Sequence, residues 1–296
     1  MKLLRGIAAM LWIAVDTILG CIPLYVLGLL RVVCPAPLRA ALTRAMHGIV
    51  QCWVAGNRLM FRVLGVTTVN VRLPEGGLRA DGWYLVVANH QSWADILILQ
   101  NTLRGHIPIL KFFTKRQLIW VPLIGVAMWF LGFPYVRRLP REQIETDPSL
   151  AALDREATLD ACRGFRDHPT SVLAFLEGTR FTPAKHAAQA APRYGHLLNP
   201  KLGGASYVIT ALSDRMDAML DVTLIYPDGV PTFWALLQGE CPRVDVIVER
   251  HSLPDAVRAA DTPEAAREAL RPWVDELWRA KDRRLEAEYD GEALAN

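Results

Sequence analysis

Two short apolar runs, Trp83-Tyr84-Leu85-Val86-Val87-Ala88 and Ser171-Val172-Leu173-Ala174-Phe175-Leu176, each end abruptly in a polar cluster, and this constrains the fold more than any other feature. Runs of this length bounded by turn residues read as buried strands. The first delivers Asn89-His90-Gln91-Ser92-Trp93-Ala94-Asp95, and behind it Ile96 to Leu99 opens a helix. The second delivers Glu177-Gly178-Thr179-Arg180. Ligands of open α/β sheets bind beyond the carboxyl ends of the strands. If these two strands are parallel neighbours, both clusters open onto one edge. An imidazole there, oriented by an acid one turn on, suits proton abstraction from an alcohol near neutral pH. Arg180 offers a planar, permanently charged donor fit for a phosphate, and Gly178 lets backbone approach a ligand. Plainer readings stand beside these. Ser92 to Asp95 is also a capping-box variant, with Ser92 as N-cap and Asp95 reaching back. Glu177 and Arg180 also read as a local ion pair on a surface turn.

The N-terminus sets a second constraint. Ile7 to Leu30 is almost continuously apolar, interrupted by Asp16 and softened by Pro23. That length suits a hydrocarbon core of roughly 30 Å. Asp16 and Pro23 equally permit two shorter helices dipping into one leaflet. A cleaved signal peptide is the competing reading, but no small-x-small cleavage site follows. Lys2 and Arg5 precede the run and Arg31, Arg39 and Arg44 follow it, which puts the body of the protein on the cytoplasmic side. Met46 to Val66 has the spacing of an amphipathic helix, lying on the membrane or packed on the domain.

Leu118 to Val136 is nearly uncharged but contains Pro122, Gly125, Gly132 and Pro134. It reads as a half-buried hairpin or the wall of an acyl groove rather than a spanning helix. A strand is expected over Ile107 to Phe113, and a helix from Asp147-Pro148 to about Phe165. The turn-rich stretch Phe181 to Gly204 reads as a loop, and Ala205 to Leu212 as a helix. Strands are expected at Asp221 to Tyr226 and Arg243 to Val248. An amphipathic region bent at Pro272 follows Thr262-Pro263. Strands alternating with helices indicate an α/β fold, a mostly parallel sheet covered by helices, with an N-terminal membrane-embedded helical segment. The expected organisation is residues 1–66 as membrane-embedded and amphipathic helices, 67–255 as the α/β domain, and 256–296 as a C-terminal amphipathic region. With 296 residues and a net charge of +3, the chain has no dedicated nucleic-acid footprint. Its five scattered cysteines form no CxxC pair or Cys/His cluster, so neither a metal site nor a disulfide framework is expected.

Together the motifs resemble the glycerophospholipid acyltransferase family of the lysophosphatidate (PlsC-like) type. Asn89, His90 and Asp95 match its Asn-His-x-x-x-x-Asp motif, and Glu177 to Arg180 its Glu-Gly-Thr-Arg motif unaltered. Lys115, Leu118, Pro122, Gly125, Gly132 and Arg138 stand at the family's intermediate spacing, with Arg137 where an acid is common. Asp221-Val222-Thr223-Leu224-Ile225-Tyr226-Pro227 is similar to the proline-bearing motif of the lysocardiolipin-acyltransferase-like and YihG-like branch of bacterial inner membranes. The resemblance implies transfer of an acyl group from acyl-CoA or acyl carrier protein to a lysophospholipid, 1-acyl-sn-glycerol-3-phosphate first. A lysophosphatidylglycerol or lysocardiolipin remodelling substrate is the alternative, and a non-catalytic membrane interaction protein a further one. His90 is implied as general base and Asp95 as its partner, with no cofactor beyond the donor thioester. Glu177, Gly178, Thr179, Arg180, Arg138 and Lys201 are implied on the substrate side. Ser92 as a nucleophile lacks the G-x-S-x-G elbow. A hydrolase that uses water as acceptor is a third reading. The implied location is the cytoplasmic face of a bacterial inner membrane, among membrane lipids.

Overall fold

A computed structural model describes residues 1–136 and 148–293. In chain order its elements are α1 (Lys2–Val33), α2 (Ala36–Leu64), β1 (Thr68–Arg72), β2 (Tyr84–Ala88), α3 (Ala94–Leu103), β3 (Leu110–Phe112), β4 (Thr114–Lys115), α4 (Ile124–Phe130) and β5 (Tyr135–Val136). There follow α5 (Pro148–Arg163), β6 (Ser171–Phe175), α6 (Pro183–Ala187), α7 (Gly203–Leu212), β7 (Ala218–Ile225), α8 (Phe233–Leu237), β8 (Arg243–His251), α9 (Asp255–Arg258) and α10 (Pro263–Ala293).

Strand β2 is buried along its whole length, and its side chains divide the molecule. Tyr84, Val86 and Ala88 enter one core, which α1, α2 and α3 cover. Leu85 and Val87 enter the other, which α7 and α10 cover. This is the period-2 alternation of a strand buried on both faces. The main sheet runs β1-β8-β7-β2-β6-β3. β2 is parallel to β6 and β7, and β3 is parallel to β6. The two apolar runs are therefore parallel neighbours, in register with Ala88 beside Phe175. The sheet is mostly parallel as expected, but β8 is antiparallel to β7 and carries β1 with it. β1 escapes sequence reading because it is an edge strand with only Val69 partly covered, so burial imposes no apolar pattern on it.

Pro23 does not break the first helix: α1 is continuous over 32 residues. It pairs antiparallel with α2, Trp53 Nε1 donating to Thr17 Oγ1 at 3.0 Å. Asp16, the one acid in the apolar run, turns onto Gly56 of α2, where no side chain competes for the space. The helix is long and apolar enough to cross a membrane by length and composition. Residues 118–136 fold as a short 3-10 turn, α4 and β5, closed by the β4–β5 pairing, with Thr114 beside Tyr135. Its Phe130 is buried, whereas Trp120 is 85% and Trp129 53% exposed. At the other end of the chain α10 runs unbroken through Pro272 and buries Leu270, Val274, Trp278 and Leu285 against the sheet.

Candidate active site

His90 leaves β2 at the carboxyl edge of the sheet. Its Nδ1 lies 2.8 Å from Asp95 Oδ2. An ionised carboxylate only accepts, so Nδ1 carries the proton and Nε2 is the ring's acceptor, with no hydrogen-bond partner among the described residues. The ring stacks on Phe175 of the neighbouring strand at 3.9 Å between centroids, which fixes its plane. Asp95 is fully buried and fully committed. Its Oδ2 also accepts from the Gln91 and Ser92 amides at 2.7 and 2.9 Å, and its Oδ1 from the Tyr226 hydroxyl at 2.5 Å. The capping contacts of this segment thus leave the histidine pairing in place: Asp95 reaches back to the loop amides and holds the imidazole as well. Burial and the adjacent Asp95 push Tyr226 well above the usual phenol range, so it stays a donor.

The Glu177 motif reaches the same place by another route. Glu177 is fully buried; its Oε1 accepts from the His90 amide at 2.7 Å and its Oε2 from the Leu198 amide at 3.0 Å. The Phe181 amide in turn donates to the His90 carbonyl at 2.7 Å. Glu177 thus clamps the His90 backbone. This corrects both the ion-pair reading and its assignment to substrate binding, because its two oxygens are occupied inside the protein. Burial, opposed by those two amides, pushes its carboxyl up to about 7.

Arg180 lies over the exposed Trp93 indole, its guanidinium 4.9 Å from the ring centroid, which brings a cation to the His90 loop. Gly178 is at φ +71, the left-handed region, and a Cβ there would sit 3.1 Å from Lys201 Cδ. Lys201 is exposed, and its amide donates to the Leu176 carbonyl at 2.6 Å. Thr179 Oγ1 accepts from Lys185 Nζ at 2.7 Å, so Lys185 is a further cation at this rim. The structure thus brings Gly178, Thr179, Arg180 and Lys201 together beside His90. Arg137 and Arg138 lie outside the described residues. Ser92 is buried and its hydroxyl donates to the Pro231 carbonyl at 2.6 Å, a poor station for a nucleophile.

The family model described as Acyltransferase matches residues 51–228. The chain belongs to the Acyltransferase family. It is 28% identical to 1-acyl-sn-glycerol-3-phosphate acyltransferase gamma of Homo sapiens, over 67% of this chain and 51% of that protein. It is also 28% identical to lysocardiolipin acyltransferase 1 of Danio rerio, over 97% of this chain and 72% of that protein. The chain spans about half the length of the first of these relatives. The crystal structure of the 1-acyl-sn-glycerophosphate acyltransferase PlsC from Thermotoga maritima shares the fold, with TM-score 0.57 over 97% of this chain and 98% of that one, at 15% identity.

Within this acyltransferase fold, sequence reading quoted Asn89 and Tyr226 in motifs without seeing their work. Asn89 Nδ2 donates to the Leu224 carbonyl and its Oδ1 accepts from the Leu224 amide, both at 2.8 Å. The side chain imitates a strand residue and ties the end of β2 to β7. Sequence reading also missed Lys281 and the carboxylates facing it. Asp221, Glu249 and His251 bring ligand atoms within 4.8 Å of one another, the geometry of a metal set. Two cations already serve those acids: Lys281 Nζ lies 2.7 Å from Asp221 Oδ1, and Arg284 2.7 Å from Glu249 Oε1. That chemistry does not favour a metal ion there.

Proposed function

We propose that the protein transfers a fatty acyl group from a thioester, acyl-CoA or acyl carrier protein, to the free hydroxyl of a lysophospholipid, with 1-acyl-sn-glycerol-3-phosphate as first acceptor. The carrying observation is the His90–Asp95 contact at 2.8 Å, with Nε2 unpartnered among the described residues at the rim that also bears Arg180. An aliphatic alcohol is a weak nucleophile near neutral pH. His90 Nε2 takes its proton as the oxygen attacks the thioester carbonyl, and Asp95 stabilises the imidazolium that forms. Collapse of the tetrahedral adduct breaks the carbon–sulfur bond, and the departing thiolate recovers the proton from His90. The acceptor oxygen is itself the nucleophile, so the enzyme supplies none. Arg180, with Lys201, Lys185 and Arg138, holds the acceptor phosphate.

Membrane attachment follows from the substrate. Each buried methylene is worth about 0.8 kcal/mol, so a long acyl chain stays in the bilayer and the enzyme works there. The exposed apolar face of α1 and the exposed Trp120 and Trp129 support membrane attachment, and the basic residues Arg31, Arg39 and Arg44 after the apolar run favour the cytoplasmic face, of a bacterial inner membrane by the family resemblance. A lysocardiolipin or lysophosphatidylglycerol acceptor is the second reading, favoured by the similarity to the zebrafish lysocardiolipin acyltransferase along 97% of this chain. The test is His90→Ala assayed by mass spectrometry of membranes supplied with a lysophospholipid panel and both donors. Transfer is expected to fall by about a hundred- to ten-thousandfold. Undiminished transfer removes the mechanism, free fatty acid without new diacyl lipid identifies a hydrolase, and no transfer by the wild type to any acceptor leaves a non-catalytic protein.

A further inference from the structure

A cleft of ≈ 780 Å³ lies between the C-terminal ends of α2 and α3 and the outer strand β1, and it shares no residue with the His90 rim. Asn101 and Thr102 of α3 line it, two turns beyond Asp95, or roughly 10 Å along the helix axis. Its charged lining is of one sign: Arg5, Arg58 and Arg62, with no acid among the lining residues described. We propose that this cleft is a second phosphate-binding site, taking a phosphate or phosphate ester apart from the acceptor that His90 acts on.

Two independent observations carry it. Arg58 and Arg62 are one helical turn apart on α2, exposed and aimed at the same volume. Asn101 and Thr102 are 7% and 6% exposed, yet the Asn101 Oδ1 and Nδ2 and the Thr102 Oγ1 have no hydrogen-bond partner among the described residues. A buried amide and hydroxyl left unpaired are costly, and proteins retain them where something else completes them. Arg62 near the C-terminal end of α2 also offsets the helix dipole, but that gives Asn101 and Thr102 no reason to be unpartnered. Guanidinium groups supply charge and paired donors for phosphate oxygens, and the amide and hydroxyl, closed off from solvent here, add neutral ones once their side chains turn to a bound ligand. Phosphate can arrive on a lipid or free in solution. Leu59 and Val63, 50% and 62% exposed beside the two arginines, put apolar surface next to the cations, as an anionic lipid headgroup requires.

The test uses the full chain in detergent micelles carrying Arg180→Gln, which weakens the phosphate contact at the rim. Dihexanoyl phosphatidate and inorganic phosphate are titrated separately by calorimetry. One saturable site is expected to persist in this background, and adding Arg58→Gln and Arg62→Gln is expected to weaken it at least about tenfold, the loss of one charge-assisted contact or more. Thr102→Val separates ligand from fold: it removes an unpartnered hydroxyl at constant volume, so binding weakens while the melting temperature holds or rises. Binding of phosphatidate alone assigns the site to lipid, and equal binding of both assigns it to free phosphate; either supports the site. No saturable binding in the Arg180→Gln protein overturns it, as does binding that survives the arginine pair and Thr102→Val unchanged. Acyl transfer is not the readout, so failure of the His90 mechanism and failure of this site remain distinguishable.

Discussion

Helices α1 and α10 have nearly the same length, 32 and 31 residues, and cover opposite faces of one sheet. Their outward faces are built for different solvents. Leu4, Leu11, Leu19, Ile22 and Leu29 of α1 stand exposed. The large apolar residues of α10 that meet the sheet, Leu270, Val274, Trp278 and Leu285, are all buried, and its exposed positions are mostly charged. The inward faces differ as well. α1 meets α4 and α8 by close packing at Gly28 and Gly6, with Tyr25 and Arg5 donating to the Leu123 and Gln238 carbonyls at their ends, whereas α10 reaches the His90 rim. Trp278 Nε1 donates to the Leu198 carbonyl at 3.2 Å, and the Asp282 carboxylate accepts from the Gly195 and His196 amides, both at 2.8 Å. The Leu198 amide then donates to Glu177, which holds His90. The C-terminal helix is thus a buttress of the site and the N-terminal helix a platform.

The sharpest way to break this contrast is Trp278→Ala. It empties a fully buried site in the second core and is expected to cost about 3–5 kcal/mol in denaturant unfolding. Next comes the pH dependence of the clamp that α10 supports. Glu177 rises from 4.5 unfolded to about 7 folded, mainly through burial, so the folded state binds more protons between those values. Its stabilising contribution is complete below about pH 4.5 and lost as pH rises through 7. The span is worth on the order of 3 kcal/mol, and Glu177→Gln should flatten this part of the stability profile between pH 5 and 8. Tyr226→Phe probes the hydroxyl contact to Asp95, a support of the rim made from the residue that follows β7. Removing one donor to a buried carboxylate should cost about 1.5–3 kcal/mol and lower kcat with KM little changed. At the bottom of the scale, Leu11→Gln with Leu19→Gln should alter stability in detergent by less than about 0.5 kcal/mol while weakening cosedimentation with liposomes. A loss of stability as large as that of Trp278→Ala would mean that α1 is core, and the contrast would fail.

The sheet centre was legible from the chain alone because β2 and β6 are buried on both faces and their composition records it. His90, Asp95 and Arg180 were legible because each follows such a strand within a few residues. β1 and the reversed direction of β8 were not, since an exposed edge leaves no apolar signature and direction is not encoded in composition. The role of Glu177 was misread for a related reason: a carboxylate next to Gly-Thr-Arg looks solvent-facing until the Leu198 loop is seen to close over it.

What the sequence by itself determined is local: which runs are apolar enough to be buried, and which polar groups stand at their ends. Only the tertiary structure decided which of those groups meet. Tyr226 with Asp95, Lys281 with Asp221, and Trp278 with the Leu198 loop lie 131, 60 and 80 positions apart, and each contact exists only because the sheet order and the return of α10 bring them together. Periodicity reports burial along one element, whereas a hydrogen bond between elements depends on a register that no single element contains.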